Sequence, residues 1–217
     1  MLTFFGTFFE LFSLLSCIYA YKKLDNNFKI FLPFLTFVVV YELINIFFMR
    51  LVLWHHTNLW CHNFEGMIEL AVYGQFMASL DKRKAYRRKV YIATITGIVV
   101  ILADIVFLHG FWKLATAAFT IQNIIQAVLV FSYYYNLLHN MNDYPDLITH
   151  PPFLAATGLL VYSVVNCFYF TTFDFVVYQK RYPFPMTVIT IHEISITFLY
   201  TLLGVSFLCF LRPKKLA

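Results

Sequence analysis

Apolar runs broken by short polar segments fill the chain from end to end. Seven of these runs can cross ~30 Å of hydrocarbon as helices of about 20 residues. They cover residues 2–21, 30–49, 63–80, 90–108, 114–138, 153–173 and 186–211. A chain in lipid must satisfy its own backbone hydrogen bonds, so only helices and closed barrels cross a bilayer. Nothing here alternates with period two as a barrel strand does, and runs of this length predict helices. The expected fold is an all-α integral membrane protein, a seven-transmembrane helix bundle forming one domain over residues 1–217. The first run has no basic leader and no small-residue cleavage site, so it reads as a retained span rather than a signal peptide.

The polar breaks predict an orientation. Lys22, Lys23 and Lys29 lie in the first break, and Lys82, Arg83, Lys84, Arg87, Arg88 and Lys89 crowd the third. With Arg212, Lys214 and Lys215 after the last run, twelve basic residues fall on one side; Arg50, Lys113, Lys180 and Arg181 make four on the other. Basic loops stay in the cytoplasm, which places the N-terminus outside and the C-terminus cytoplasmic. The basic loop from Lys82 to Lys89 reads first as this topology signal, attracted to anionic lipid by ~1 kcal/mol per residue. It is also the place where a cytoplasmic signalling partner would dock.

Composition agrees with the pattern. The 217 residues are 61% hydrophobic and 12% charged, with a mean hydropathy of +0.72. A soluble domain runs nearer half apolar and a quarter charged. The net charge of +5 follows from the loops beside the spans and gives no ground for a nucleic-acid partner. The cysteines, Cys17, Cys61, Cys167 and Cys209, form no CxxC pair, so no redox or structural-metal motif is present.

The polar positions inside the apolar runs carry the chemistry. Glu10, Glu42, Glu65, Glu69 and Glu193, all five glutamates of the chain, fall in spans, and Asp104 joins them. No Lys or Arg lies at similar depth. A carboxylate in hydrocarbon is costly and is kept where it is protonated, paired or facing a cavity. At ~1.5 Å per residue, Glu10, Glu42 and Glu69 fall near the midplane. His62, Glu65, His192 and Glu193 fall at the outer rim, and Asp104, Asn45, Asn123 and Asn166 between. The inner half is apolar, with Tyr133, Tyr134 and Tyr135 expected to close it. Helical spacing puts His62, Glu65, Glu69 and Tyr73 on one stripe. Gln122 shares a face with Gln126, Glu42 with Asn45, Tyr162 with Asn166, and His192 with Ser195. Convergence of these stripes predicts an outward-facing acidic cavity, with Glu42, Glu69, Gln126, Asn166, Glu10 and Asp104 as ligand- or proton-binding residues. The amides serve equally as interhelical hydrogen bonds, worth roughly 0.6 kcal/mol each.

Three functions fit this set. The leading expectation is a non-enzymatic sensor or receptor-like protein that binds a small polar ligand, a cation or protons, its rim imidazoles responsive to pH. A proton-coupled transporter would load Glu69 or Glu42. An intramembrane metal-dependent lipid hydrolase would use His62, Glu65, Glu69 and His192 as ligands to a divalent metal, although no HExxH is present. Ser195, His192 and Glu193 supply the residue types of a triad, but neighbours on one helix point apart. The last run has no lysine for a retinal Schiff base, and no Gly-rich phosphate loop occurs.

The segment DYPDLITHPPFLAATGLLVYSVVNCFYF resembles one found in small uncharacterised seven-helix bacterial inner-membrane proteins. The shared pattern is a polar loop, Pro152 and Phe153, Gly158, Tyr162, Asn166 and then the aromatics Phe168 and Tyr169. The Ser132 to Tyr135 end of the preceding run is similar too, whereas Leu154 departs from an aromatic position. Such proteins are often encoded near two-component sensor kinases, so the resemblance implies a sensory role in the inner membrane of a bacterium. It carries over no catalytic residue.

Overall fold

The computed structural model describes residues 3–51, 59–139, 147–180 and 183–211. Among them there is helix and turn but no strand. Seven long helices are present: α1 (Thr3–Ala20), α3 (Phe31–Leu51), α4 (Leu59–Ser79), α5 (Lys84–Phe107), α6 (Thr116–His139), α7 (Pro151–Phe173) and α8 (Met186–Cys209). A single helical turn, α2 (Asn26–Lys29), leads into α3. Five helical stretches are long and apolar enough to cross a membrane: Asn26–Ile44, Lys84–Phe107, Thr116–His139, Pro151–Gln179 and Met186–Cys209. The α4 helix falls outside this set because His62, Asn63, Glu65, Glu69 and Gln75 interrupt its apolar run.

Local chemistry sets the helix ends. Pro151 and Pro152 open α7, where a missing N–H costs nothing. Pro185 precedes α8, and its carbonyl accepts from the Val188 and Ile189 amides. Gly110, at φ 81°, turns the chain after α5. The α5 helix starts at Lys84, earlier than the apolar pattern suggests, because lysine, arginine and alanine are good helix formers even outside an apolar run. The end of α7 widens into a π-helical segment, Asp174–Gln179.

Each long helix packs against its neighbours in sequence, and α1 closes on α8, so the seven form a ring. Small residues bring α7 and α8 close: a Cβ on Gly158 would lie 3.3 Å from the Leu199 backbone. Large apolar side chains such as Phe8, Ile18, Ile95, Val99, Val106 and Phe131 point outward. An apolar surface of that extent belongs in lipid rather than water. Most hydroxyls inside the helices donate back to a carbonyl a turn earlier, as Thr157 does to Phe153 and Thr201 to Thr197.

The two ends of the ring differ. At the end holding the α4–α5 connection, Phe28, Phe31, Phe76 and Phe207 are fully buried and meet mostly edge to face; the Phe31–Phe76 ring centroids are 4.9 Å apart. This cluster, with Phe210 over Phe28, closes that half of the bundle. Of the expected Tyr133–Tyr135 closure, Tyr133 is buried in this cluster and Tyr134 packs against it, hydrogen-bonded to Thr157; Tyr135 is the correction, 63% exposed and facing outward. At the same end Asn27 bonds the Ser79 carbonyl, and Arg83 bridges Asp81 and Asn136.

Candidate functional site

A cavity of about 200 Å³ lies in the other half of the ring. Six helices line it, and those that contribute more than one residue do so at helical spacing. From α1 comes Glu10; from α3, Phe34, Val38 and Glu42, spaced by four. From α4 come His62, Glu65, Gly66 and Glu69. The α6 helix contributes Phe119, Gln122 and Asn123; α7 contributes Tyr162, Tyr169, Phe170 and Phe173. His192, Ile196 and Tyr200 of α8, again spaced by four, complete the wall with Leu114. Gly66 is required: a Cβ there would lie 2.0 Å from the Phe119 ring.

The carboxylates are held differently. Glu65 pairs with His62 Nδ1 at 2.9 Å, one helical turn away on the half-exposed rim. Glu69 Oε2 accepts from the Tyr162 hydroxyl at 3.3 Å. Glu10 is 7% exposed, and its Oε2 has no hydrogen-bond partner among the described residues. Two amides behave similarly. Asn123 donates from Nδ2 to the Phe119 carbonyl, but its Oδ1 is unpartnered, as is Gln122 Oε1; both residues are buried. Buried polar atoms are usually satisfied, and four of the unpartnered ones, Glu10 Oε2, Gln122 Oε1, Asn123 Oδ1 and His192 Nδ1, belong to residues that line this cavity. No Lys or Arg lines the cavity among the described residues.

The structure thus brings Glu10, Glu42, Glu65, Glu69, His62 and His192 to one cavity. It leaves four expected residues elsewhere. Gln126 is buried between helices, accepting from Ser163 at 3.1 Å, and acts as interhelical glue. Asn166 is buried outside the cavity lining, with both amide atoms unpartnered. Glu193, next to His192, points to α1, where a Cβ on Gly6 would come within 3.2 Å of it. Asp104 is drawn off into a separate network described below. The described side chains of α3 end before Asn45, so its expected role falls outside them.

The expected metal quartet does not assemble. Among the described residues no three His, Cys, Asp or Glu side chains gather closely enough to hold a metal ion. His62 is engaged by Glu65, and the His192 ring stacks on Tyr169, 4.0 Å between centroids and 18° from parallel. Ser195 donates to the His192 carbonyl at 2.7 Å, not to a base, so no activated nucleophile forms there.

Sequence reasoning passed over two features. One is the aromatic part of the wall, with Phe34, Phe119 and Tyr200; its signal was the four-residue spacing that runs from Phe34 to Glu42 and from His192 to Tyr200. The other is His109, which ties down the connection between α5 and α6. Its Nδ1 pairs with Asp104 Oδ1 at 2.5 Å and its Nε2 with Asp174 Oδ1 at 3.2 Å. Thr116 donates to Asp174 at 2.8 Å, and Asp104 Oδ2 accepts from the Ala118 amide at 2.8 Å. Asn63 adds a donor to the Lys113 carbonyl and an acceptor for the Ala115 amide. Leu114, in the middle of this latch, is part of the cavity wall. The chain matches no family model, and no curated protein or solved structure matches it.

Proposed function

We propose that this chain is a seven-span membrane protein of the sensor or receptor type, binding a cation or protons in the acidic cavity, without enzymatic chemistry of its own. One observation carries the reading: Glu10, Glu42, Glu65 and Glu69 face a single cavity that no Lys or Arg lines among the described residues. Four carboxylates so placed need positive charge from outside the protein, since isolated carboxylates in a low-dielectric interior are too costly to keep. The aromatic closure of the opposite half supports a receptor over a conduit, because alternating access needs a second route to the site. With the N-terminus outside, the cavity end faces the exterior, and the basic loop from Lys82 to Lys89 offers a cytoplasmic partner a contact. The resemblance to proteins encoded near sensor kinases, and with it a bacterial inner membrane, points the same way.

The test is thermal stability of the detergent-purified protein across pH and added salts, for wild type and Glu69→Gln. A ligand bound only by the folded state raises the melting temperature. A response in wild type that Glu69→Gln abolishes is expected. Identical behaviour of the two proteins under every condition would reduce Glu69 to a structural acceptor for Tyr162 and end the proposal.

A further inference from the structure

The cavity wall says more than that it is acidic. Among its orphaned buried atoms, Gln122 Oε1 and Asn123 Oδ1 are acceptors, Glu10 Oε2 accepts when its carboxyl is ionised, and His192 Nδ1 stands beside them. An occupant that satisfies the oxygens must donate hydrogen bonds. Much of the remaining wall is aromatic: Phe34, Tyr162, Phe173, Tyr200 and the stacked Tyr169–His192 pair. Ring faces attract cations, most strongly where water is excluded. A hard metal cation instead demands a shell of six or so oxygens, and no three His, Cys, Asp or Glu side chains converge among the described residues. The volume of about 200 Å³ lies below the ~300–1,000 Å³ of sites for drug-sized molecules.

Resting on the reading of the cavity as a cation site, we infer that its ligand is a small organic ammonium ion with N–H donors, a protonated alkylamine or arylalkylamine. The ammonium group sits among Glu10, Glu69 and the two amide oxygens, where charge and donors meet charge and acceptors. The hydrocarbon part lies against the aromatic wall. A quaternary ammonium satisfies the charge and the rings but leaves the orphaned oxygens unmet, so it binds more weakly. An uncharged alcohol of the same size lacks the charge altogether. An anion is excluded by the four carboxylates.

The experiment compares n-butylammonium, tetramethylammonium, 1-butanol and sodium at equal concentration, near neutral pH, on the purified full chain. Melting temperature and isothermal calorimetry are the readouts. The expected order is butylammonium first and tetramethylammonium second, with 1-butanol and sodium indistinguishable from buffer. Glu10→Gln and Tyr162→Leu are each expected to weaken butylammonium by roughly tenfold, the scale of one charged contact or one cation–π contact. Binding of 1-butanol or sodium as strong as that of butylammonium overturns the inference, and this comparison needs only wild type. Tetramethylammonium binding more tightly than butylammonium overturns the role of the orphaned acceptors and with it the inference. A response to pH that depends on Glu69, with none to any ammonium ion, overturns the amine assignment and leaves the acidic cation site standing. No response to any condition overturns both.

Discussion

At the scale of single residues, Glu69 and Gly66 separate charge from space in the cavity. Glu69→Gln removes the ionisable carboxyl while keeping an oxygen that can accept from Tyr162, so the fold is expected to survive with only the ligand response lost. Tyr162→Phe is the complementary change. It deletes one interhelical hydrogen bond, worth roughly 0.6 kcal/mol in a membrane bundle, and leaves the ring in the wall. Its melting temperature is expected to fall slightly while ammonium binding survives, as calorimetry on the purified variant would show. Gly66→Ala acts through volume. The added methyl meets Phe119, which is itself stacked on Phe170 at 4.9 Å, so the ring must move into the cavity or the helices must part. A loss of ~1–3 kcal/mol is expected, the usual scale for overpacking, together with loss of ligand binding. A Gly66→Ala protein with unchanged stability and binding would show that Phe119 yields freely and does not define the wall.

At the scale of elements, two connections carry the ring's ends, and each makes a prediction. Between α4 and α5, Arg83 binds Asp81 bidentately, with its Nη2 2.6 Å from Oδ2, and reaches on to Asn136 of α6. The guanidinium holds the Asp81 carboxyl below its ordinary range. A lowered folded value gives stability that is complete above the free-carboxyl value of about 3.9 and is lost as pH falls through the folded one. Wild type should therefore melt above Asp81→Asn at neutral pH, and the two curves should converge as pH falls through the lowered folded value; high salt should narrow the gap as well. Between α5 and α6, His109 joins Asp104 to Asp174. Replacing it with alanine leaves two carboxylates facing each other without the imidazole. Amide hydrogen exchange over residues 108–118 is expected to speed up by about tenfold or more, the scale of losing a charge-assisted hydrogen bond, with α1 and α8 unchanged. The helices themselves were legible in the sequence because apolar runs of span length have few alternatives. So was the α4 stripe, since three- and four-residue spacing fixes a common face whatever the neighbours do. Helix rotation was not legible. It sends Asp104 to His109 instead of to the cavity, and packing between helices sets it; Gln126, on the face of Gln122 but one turn further along α6, misses the cavity by depth and meets Ser163. His109 itself was hidden because a lone histidine five residues after an aspartate has no helical signature.

At the scale of the whole molecule, the ring has a polar half and a closed half, and charge is divided in the same sense. The exposed basic residues Lys84, Arg87, Arg88 and Lys89 lie at the aromatic end, while Lys113 lies by the cavity. If the cavity opens to the exterior, as the charge asymmetry implies, the two ends must differ in their access to a reagent that cannot cross the membrane. The test replaces Cys17, Cys61, Cys167 and Cys209 and returns one cysteine at a time. Lys113→Cys and Arg88→Cys are suitable because both side chains are exposed. In intact cells a membrane-impermeant maleimide is expected to label the cysteine at position 113 and to spare that at 88, and permeabilised cells should show both labelled. The reverse pattern would turn the cavity toward the cytoplasm and make its ligand an internal one. Labelling at both positions in intact cells would place both ends on the same side, which an odd number of spans between them allows only if α5 does not cross. Orientation therefore decides more than topology. Under the proposed function, the first arrangement turns the acidic and aromatic wall to the environment and the basic loop to the cytoplasm, and the second turns the wall to the cell's own amines.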